Sequence, residues 1–173
     1  MDPLQVSMTA VRMGERFLQI GCDDRALLSG LAGKVGLSGT AAVASLNEES
    51  AKRAAAVGTK IGALIDVRPI AGTGLPFETG QFDMIVVDDT RGTFAGLSNE
   101  RRSSYLRDAR RIVRAGGRIE VVEGLGGGAL MGGAVARPHG YDVVRDLESA
   151  GFKPVRVLAK RDGFRFIEGL KGP

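Results

Sequence analysis

Apolar residues in this chain fall in short runs that alternate with helically spaced stripes. Arg16 to Leu28 sets the pattern. Phe17, Leu18 and Ile20 form a brief apolar run, Gly21 stops it, two carboxylates follow, and helical spacing begins. This predicts a buried strand from Phe17 to Gly21, a tight turn and a helix start. Asp23 or Asp24 caps that helix, which runs to about Leu31, because a carboxylate there accepts the free amides of a first turn. Before it, Met1 to Glu15 has weak helical character and predicts a lead-in segment or short helix.

The rest of the chain repeats the theme. Gly33 to Gly39 reads as a turn, and Thr40 to Leu46 as a strand covered on both faces. Asn47 caps a helix from Glu48 to about Val57, and Ala63 to Val67 is a third strand that Pro69 ends. Ile70 to Gln81 is loop. Phe82 to Val87 is the clearest buried strand, and it ends in Asp88-Asp89-Thr90. After a loop from Gly92 to Leu97, Ser98 caps a long helix, Asn99 to Val113, with its stripe at Tyr105, Leu106, Ala109, Ile112 and Val113. Ala115-Gly116-Gly117 stops it, and Arg118 to Val122 is the fifth strand. Gly124 to Gly140 is glycine-rich. Tyr141 to Ala150 is a helix closed by Gly151, and Val155 to Ala159 and Phe164 to Glu168 form a hairpin about Asp162-Gly163. Strand–helix alternation through five strands, then a hairpin, predicts an α/β, Rossmann-like, mostly parallel sheet with helices on both faces, as one domain over residues 1–173.

Composition narrows the function classes. A net charge of +4 with no interleaved aromatics argues against a nucleic-acid partner. The densest basic cluster, Arg101, Arg102, Arg107, Arg110, Arg111 and Arg114 on one predicted helix, reads as a solvated face. Cys22 is the only cysteine, so no intrachain disulfide forms and a reducing compartment is natural. Met1 to Gln19 is too polar for a signal peptide, and no apolar run approaches the roughly 20 residues that span a bilayer. The expectation is a cytoplasmic protein with no membrane partner.

Three stretches together resemble the class I S-adenosylmethionine (SAM) dependent methyltransferases, closest to the group that includes the ubiquinone and menaquinone biosynthesis enzymes. Leu75 to Val86 is similar to the family's Leu-Pro-Phe, short spacer and Phe-Asp strand signature. Leu106 to Val122 resembles its helix, Pro-Gly-Gly turn and strand, with Ala115 where proline is usual. Leu147 to Lys171 resembles its Ala-Gly-Phe and closing hairpin. The resemblance covers about Arg16 to Lys171. It implies a seven-stranded, mostly parallel sheet with a C-terminal antiparallel hairpin, a SAM cofactor and a small-molecule acceptor.

The resemblance also implies where SAM would lie: near Gly21, Asp23, Ser45, Gly72 and Asp88. The family's Asp-x-Gly-x-Gly-x-Gly loop falls on Gln19, Gly21, Asp23 and Arg25, so one glycine of three survives and the acid is an amide. Glycines let the backbone approach a cofactor. The ribose-binding acid is absent from Ala44-Ser45-Leu46-Asn47, and the adenine-side acid falls on Ala71. Ser45 or Asn47 offers a weaker bond, and Glu48 reaches back only if the strand ends later. Each lost charge-assisted hydrogen bond is worth about 1.5 to 3 kcal/mol, so two losses weaken binding about a hundredfold or more.

Asp88 and His139 are the candidate catalytic residues: Asp88 at the carboxyl edge, His139 as a general base in the glycine-rich stretch. Asp88 and Asp89 resemble a hard-cation pair, but no third ligand is apparent, and a turn-forming role is the plainer one. Asp23 and Asp24 read first as helix caps, with Arg25 pairing one of them and filling the cofactor's space. Cys22 reads as a small buried residue, and Tyr105 and Tyr141 as core, rim or acceptor wall. Gly124 to Gly140 lacks the Gly-Lys-Ser/Thr ending of a phosphate loop. About 15 residues precede the first strand, which leaves the site uncovered. Two functions therefore stand: a compact SAM-dependent methyltransferase acting on a small molecule, or a non-catalytic descendant, a pseudoenzyme, serving a partner protein or acting as a homodimer.

Overall fold

The computed structural model describes residues 3–126 and 135–173. The centre of the glycine-rich stretch, 127–134, lies outside the described residues. The elements are α1 (Leu4–Met8), β1 (Arg16–Ile20), α2 (Arg25–Val35), β2 (Thr40–Ser45), α3 (Glu48–Ile61), β3 (Ile65–Pro69), β4 (Phe82–Asp89), α4 (Asn99–Ile112), β5 (Val113–Gly124), α5 (Val143–Ser149), β6 (Val155–Arg161) and β7 (Phe164–Leu170).

Seven strands form one sheet in the order β3-β2-β1-β4-β5-β7-β6. The first five are parallel to one another. β7 runs antiparallel to both β5 and β6. This is the class I methyltransferase fold, as the motifs imply. One face is packed by Val6 of α1, Leu27, Leu28 and Leu31 of α2, and Ala54 and Val57 of α3. The other is packed by Tyr105, Leu106 and Ile112 of α4 and by Val143 and Leu147 of α5. β1 and β4 are buried on both faces, which is why Phe17, Leu18 and Ile20 and the run Met84 to Val87 read as apolar. No helix joins β3 to β4. Buried Leu75 and Phe77 fill that space, with the Arg68 guanidinium 4.9 Å over the Phe77 ring.

Several boundaries differ from the sequence reading. α2 continues through Gly30 and Gly33 to Val35 instead of stopping near Leu31. Gly30 is a contact point: a Cβ there would lie 2.4 Å from Val6 Cγ2. α3 runs one turn further, to Ile61, and Gly62 closes it in the left-handed conformation with its N–H on Gly58 O. Pro69 is the last residue of β3 instead of a breaker beyond it. β4 takes in Asp88 and Asp89. Ala115-Gly116-Gly117 forms an irregularity within β5, where the pairing with β4 shifts between Phe82 and Met84. A Cβ on Gly117 would meet Asp83 O at 2.8 Å. Tyr141 precedes α5, which Asp142 caps. The hairpin turn is as expected, with Asp162 and Gly163 both at positive φ.

The basic cluster is not uniformly solvated. Arg102 is buried, and Arg114 lies on β5, 2.8 Å from Asp83. Among the described residues, no helix is long and apolar enough to cross a membrane.

Candidate functional site

The carboxyl edge of the sheet gathers the ends of β1, β2, β4 and β5. Gly21 follows β1 at φ 79° and donates its N–H to Ala44 O at 2.9 Å. A Cβ there would meet Leu46 Cδ1 at 3.2 Å and Asp88 O at 3.3 Å, so glycine is needed for this close approach. Of the two candidate caps, Asp24 caps α2 by accepting from Ala26 N at 2.8 Å. Asp23 does not. Its buried carboxylate accepts from Arg91 N at 3.0 Å, Thr93 N at 3.3 Å and Thr93 Oγ1 at 2.5 Å. It thereby ties the turn after β1 to the loop after β4.

Asp88 completes the tie from the other side. Its fully buried carboxyl accepts from Asp24 N at 2.8 Å, Gln19 Nε2 at 3.4 Å, Thr90 N at 3.2 Å and Thr90 Oγ1 at 2.7 Å. Burial pushes its pKa up to about 7, against the pull of the Asp24 amide and Thr90. Asp89, on the opposite face of the same strand, turns away. Its carboxyl accepts from Ala95 N at 3.0 Å and Tyr141 Oη at 3.4 Å, and faces Arg137 Nη1 at 3.7 Å. Burial pushes it up to about 6. The two carboxylates therefore do not converge on one cation. Among the described residues, no group of three or more His, Cys, Asp or Glu is placed to hold a metal.

The remaining candidates scatter. Ser45 is buried and donates to Arg68 O at 3.5 Å. Asn47 caps α3 at Ser50 N, and exposed Glu48 pairs with Lys52 on the surface of α3. Gly72 has open space where a Cβ would lie, and its carbonyl accepts from buried Tyr105 Oη at 3.3 Å. Arg25 is exposed and lines an outer groove between α2 and α3, so the expectation that it fills the cofactor's space fails. Cys22 is buried as expected. Burial, with the nearby Asp88 charge, pushes its thiol up to about 12, and its carbonyl accepts from Arg53 Nε at 2.6 Å. His139 is exposed, and the structure does not bring it together with buried Asp88.

Sequence reasoning missed a second cluster above β4 and β5. Buried Glu123 accepts from Arg165 Nε at 2.7 Å, and Arg137 donates to Gly124 O at 2.7 Å. The Tyr141 ring has the guanidinium groups of Arg102 and Arg137 at 5.1 and 5.5 Å. Arg102 also donates to the carbonyls of Ala95 and Leu97. Burial and the Asp89 charge hold the Tyr141 phenol well above its usual range. Glu123 was discoverable as an acid directly after the apolar run Val121-Val122, at the carboxyl edge of the sheet. Arg102 carried no signal that set it apart from the neighbouring arginines.

The cradle does not fit SAM in the ordinary way. The amides of Asp24 and Ala26 after β1 and of Arg91 and Thr93 after β4 are taken by the chain's own carboxylates, and no acid stands at the carboxyl ends of β2 and β3.

The ubiE/COQ5 methyltransferase family model matches residues 4–125. A SAM-dependent methyltransferase from Aquifex aeolicus shares the fold, with a TM-score of 0.78 at 20% identity over 95% of this chain and 86% of that one. The cyclase SpnF shares it too, with a TM-score of 0.70 at 14% identity over 98% of this chain and 78% of that one. Cobyric acid synthase of Rhizobium meliloti is 38% identical over 95 residues, 54% of this chain and 18% of that protein. The chain thus spans less than a fifth of that relative's length.

Proposed function

The chain belongs to the ubiE/COQ5 methyltransferase family, and we propose that within it this protein has lost ordinary SAM binding and acts as a non-catalytic binding module. One observation carries the reading: Asp23, Asp24 and Asp88 hold the amides of the two loops that border the cofactor's place. A ligand would have to displace buried, charge-assisted bonds before making its own. The fold is not restricted to one chemistry, since the cyclase SpnF shares it. The single, buried Cys22 suits a reducing compartment, and a cytoplasmic location is part of the proposal.

The Asp89–Tyr141–Arg137 cluster favours a second reading: a methyltransferase with SAM held in a reshaped cradle of Gly21, Asp23, Ser45, Gly72 and Asp88, and a small acceptor above β4 and β5. Calorimetric titration of the folded protein with SAM and S-adenosylhomocysteine separates the two. The module reading expects no heat up to millimolar ligand. Micromolar binding of either compound overturns it and makes the acceptor of the second reading the next question.

A further inference from the structure

Away from the carboxyl edge, α2 and α3 lie side by side and leave a groove on their outer surface. Two cavities, of about 390 and 1050 Å³, share Ser29 and Ile61 in their walls and so adjoin. On α2 the lining residues Arg25, Ser29 and Ala32 recur at helical spacing, and Gly36 follows the helix in the same wall. On α3, Val57, Lys60 and Ile61 do the same. A Cβ added at Gly33 or Gly36 would meet nothing within 4 Å, so the space above the α2 wall is open.

The groove is anchored and charged. Leu37 and Leu64, from the turns that follow the two helices, stand 108% and 97% exposed, more than any other large apolar side chain among the described residues. Ile61 lies partly exposed in the same wall. The narrower cavity is lined by Arg25 and Lys60 and by no acid. The one acid in the wider cavity, Asp66, is paired with Arg68 at 2.8 Å. The acids that open α3, Glu48 and Glu49, are paired with Lys52 and Arg53 of the same helix. The surface offered outward is thus apolar along its floor and cationic along its side.

We propose that this groove docks an acidic amphipathic helix of a partner protein. A partner helix would set apolar residues at i, i+3, i+4 and i+7 against Leu37, Ile61 and Leu64, and carboxylates toward Arg25 and Lys60. The lengths suit it: α2 has 11 residues and α3 has 14, so the walls run about 16 to 21 Å. Charge argues against a second copy. α4 carries Arg101, Arg102, Arg107, Arg110 and Arg111, and no described helix of this chain presents an acidic, amphipathic face. A two-fold pairing of the groove would bring Arg25 and Lys60 no unpaired acid, since the one acid in the groove's lining, Asp66, is held by Arg68. The site lies apart from the cofactor's place and stands whether or not SAM binds.

The test uses the full chain and a fluorescein-labelled synthetic helix of leucine, alanine and glutamate with that apolar spacing. A second peptide carries lysine in place of glutamate. Anisotropy is expected to show the glutamate peptide binding at least tenfold more tightly than the lysine peptide. Leu64→Ser is expected to weaken it by about tenfold or more. The Arg25→Glu/Lys60→Glu protein is expected to reverse the peptide preference. Both variants change exposed side chains, and a thermal melt checks that each is folded. Equal binding of the two peptides overturns the proposal, as does unchanged binding to folded Leu64→Ser. Failure of both peptides combined with Leu64-dependent binding to phosphatidylserine vesicles replaces it with a lipid surface. A dimer in light scattering that Leu64→Ser converts to monomer replaces it with self-association.

Discussion

The two halves of the carboxyl edge carry their polar groups differently. Above β2 and β3 stand Ser45, Pro69 and Ala71, with no carboxylate. Above β4 and β5 stand Asp88, Asp89 and Glu123, all fully buried, and Asp23 reaches across from the turn after β1. In this second half each carboxylate answers the chain's own amides, phenol or arginines, and of their oxygens only Glu123 Oε1 is left without a hydrogen-bond partner. An acid at a ligand-binding edge therefore does not declare its purpose by position. Its hydrogen bonds do: an acid that serves its own loops is buried and already matched, and one kept for a ligand must be open and unmatched.

The contrast breaks most completely at Gly124. A Cβ there would lie 1.9 Å from Thr90 O, so the ends of β4 and β5 meet backbone to backbone. Gly124→Val should cost about 4 kcal/mol or more, read as a lowered urea midpoint. A midpoint within error of the parent would show that the two strand ends are not locked. Asp88→Ala should cost about 3 kcal/mol, because Asp24 N, Thr90 N and Thr90 Oγ1 lose their acceptor together. Asp88→Asn sharpens the same point through pH. With its pKa raised to about 7, folded Asp88 keeps a proton that the unfolded chain releases near pH 4. Its contribution to stability is present below that lower value and is lost as pH rises through about 7. Urea titrations from pH 4.5 to 7.5 should show the fall in the parent and a flatter profile in Asp88→Asn. Equal slopes would remove Asp88 as the cause.

Restoring acid to the bare half reverses the comparison. A folded variant carrying Gln19→Asp, Asp23→Gly, Ser45→Asp and Ala71→Asp should gain about a hundredfold or more in SAM affinity, read by calorimetry. No gain would mean that the cradle is lost in shape as well as in charge. The smallest effect belongs to Tyr141→Phe, which gives up one 3.4 Å bond to Asp89 and should cost about 0.5 to 1 kcal/mol.

Most of the fold was legible because its strands are largely apolar runs and its helices are capped by Asp24, Asn47, Ser98 and Asp142; local chemistry named Asn47 and Ser98 outright and narrowed the first cap to Asp23 or Asp24. The departures came from distant contacts. Gly33 reads as the start of a turn, yet α2 runs through it to Val35, and Gly117 reads as part of a stop until Asp83 O lies beside it. The missing glycines and acids of the cradle were visible in the chain. The direction of Asp88 was not. A strand ending at Val87 leaves both aspartates in a loop, whereas a strand that runs to Asp89 sends them to opposite faces. Arg102 is buried by its place opposite Tyr141, which no local pattern specifies.

The sheet has two free borders, and each is guarded. β3 ends in Pro69, which has no N–H to offer a newcomer, and its outward Asp66 and Arg68 are paired with each other. β6 breaks its register between Val157 and Ala159 and carries Arg156, Lys160 and Arg161. Misassembly by edge-to-edge stacking would need a flat, neutral ladder with every donor in place. Neither border provides one, so Val157 and Leu158 can face solvent without seeding a fibril.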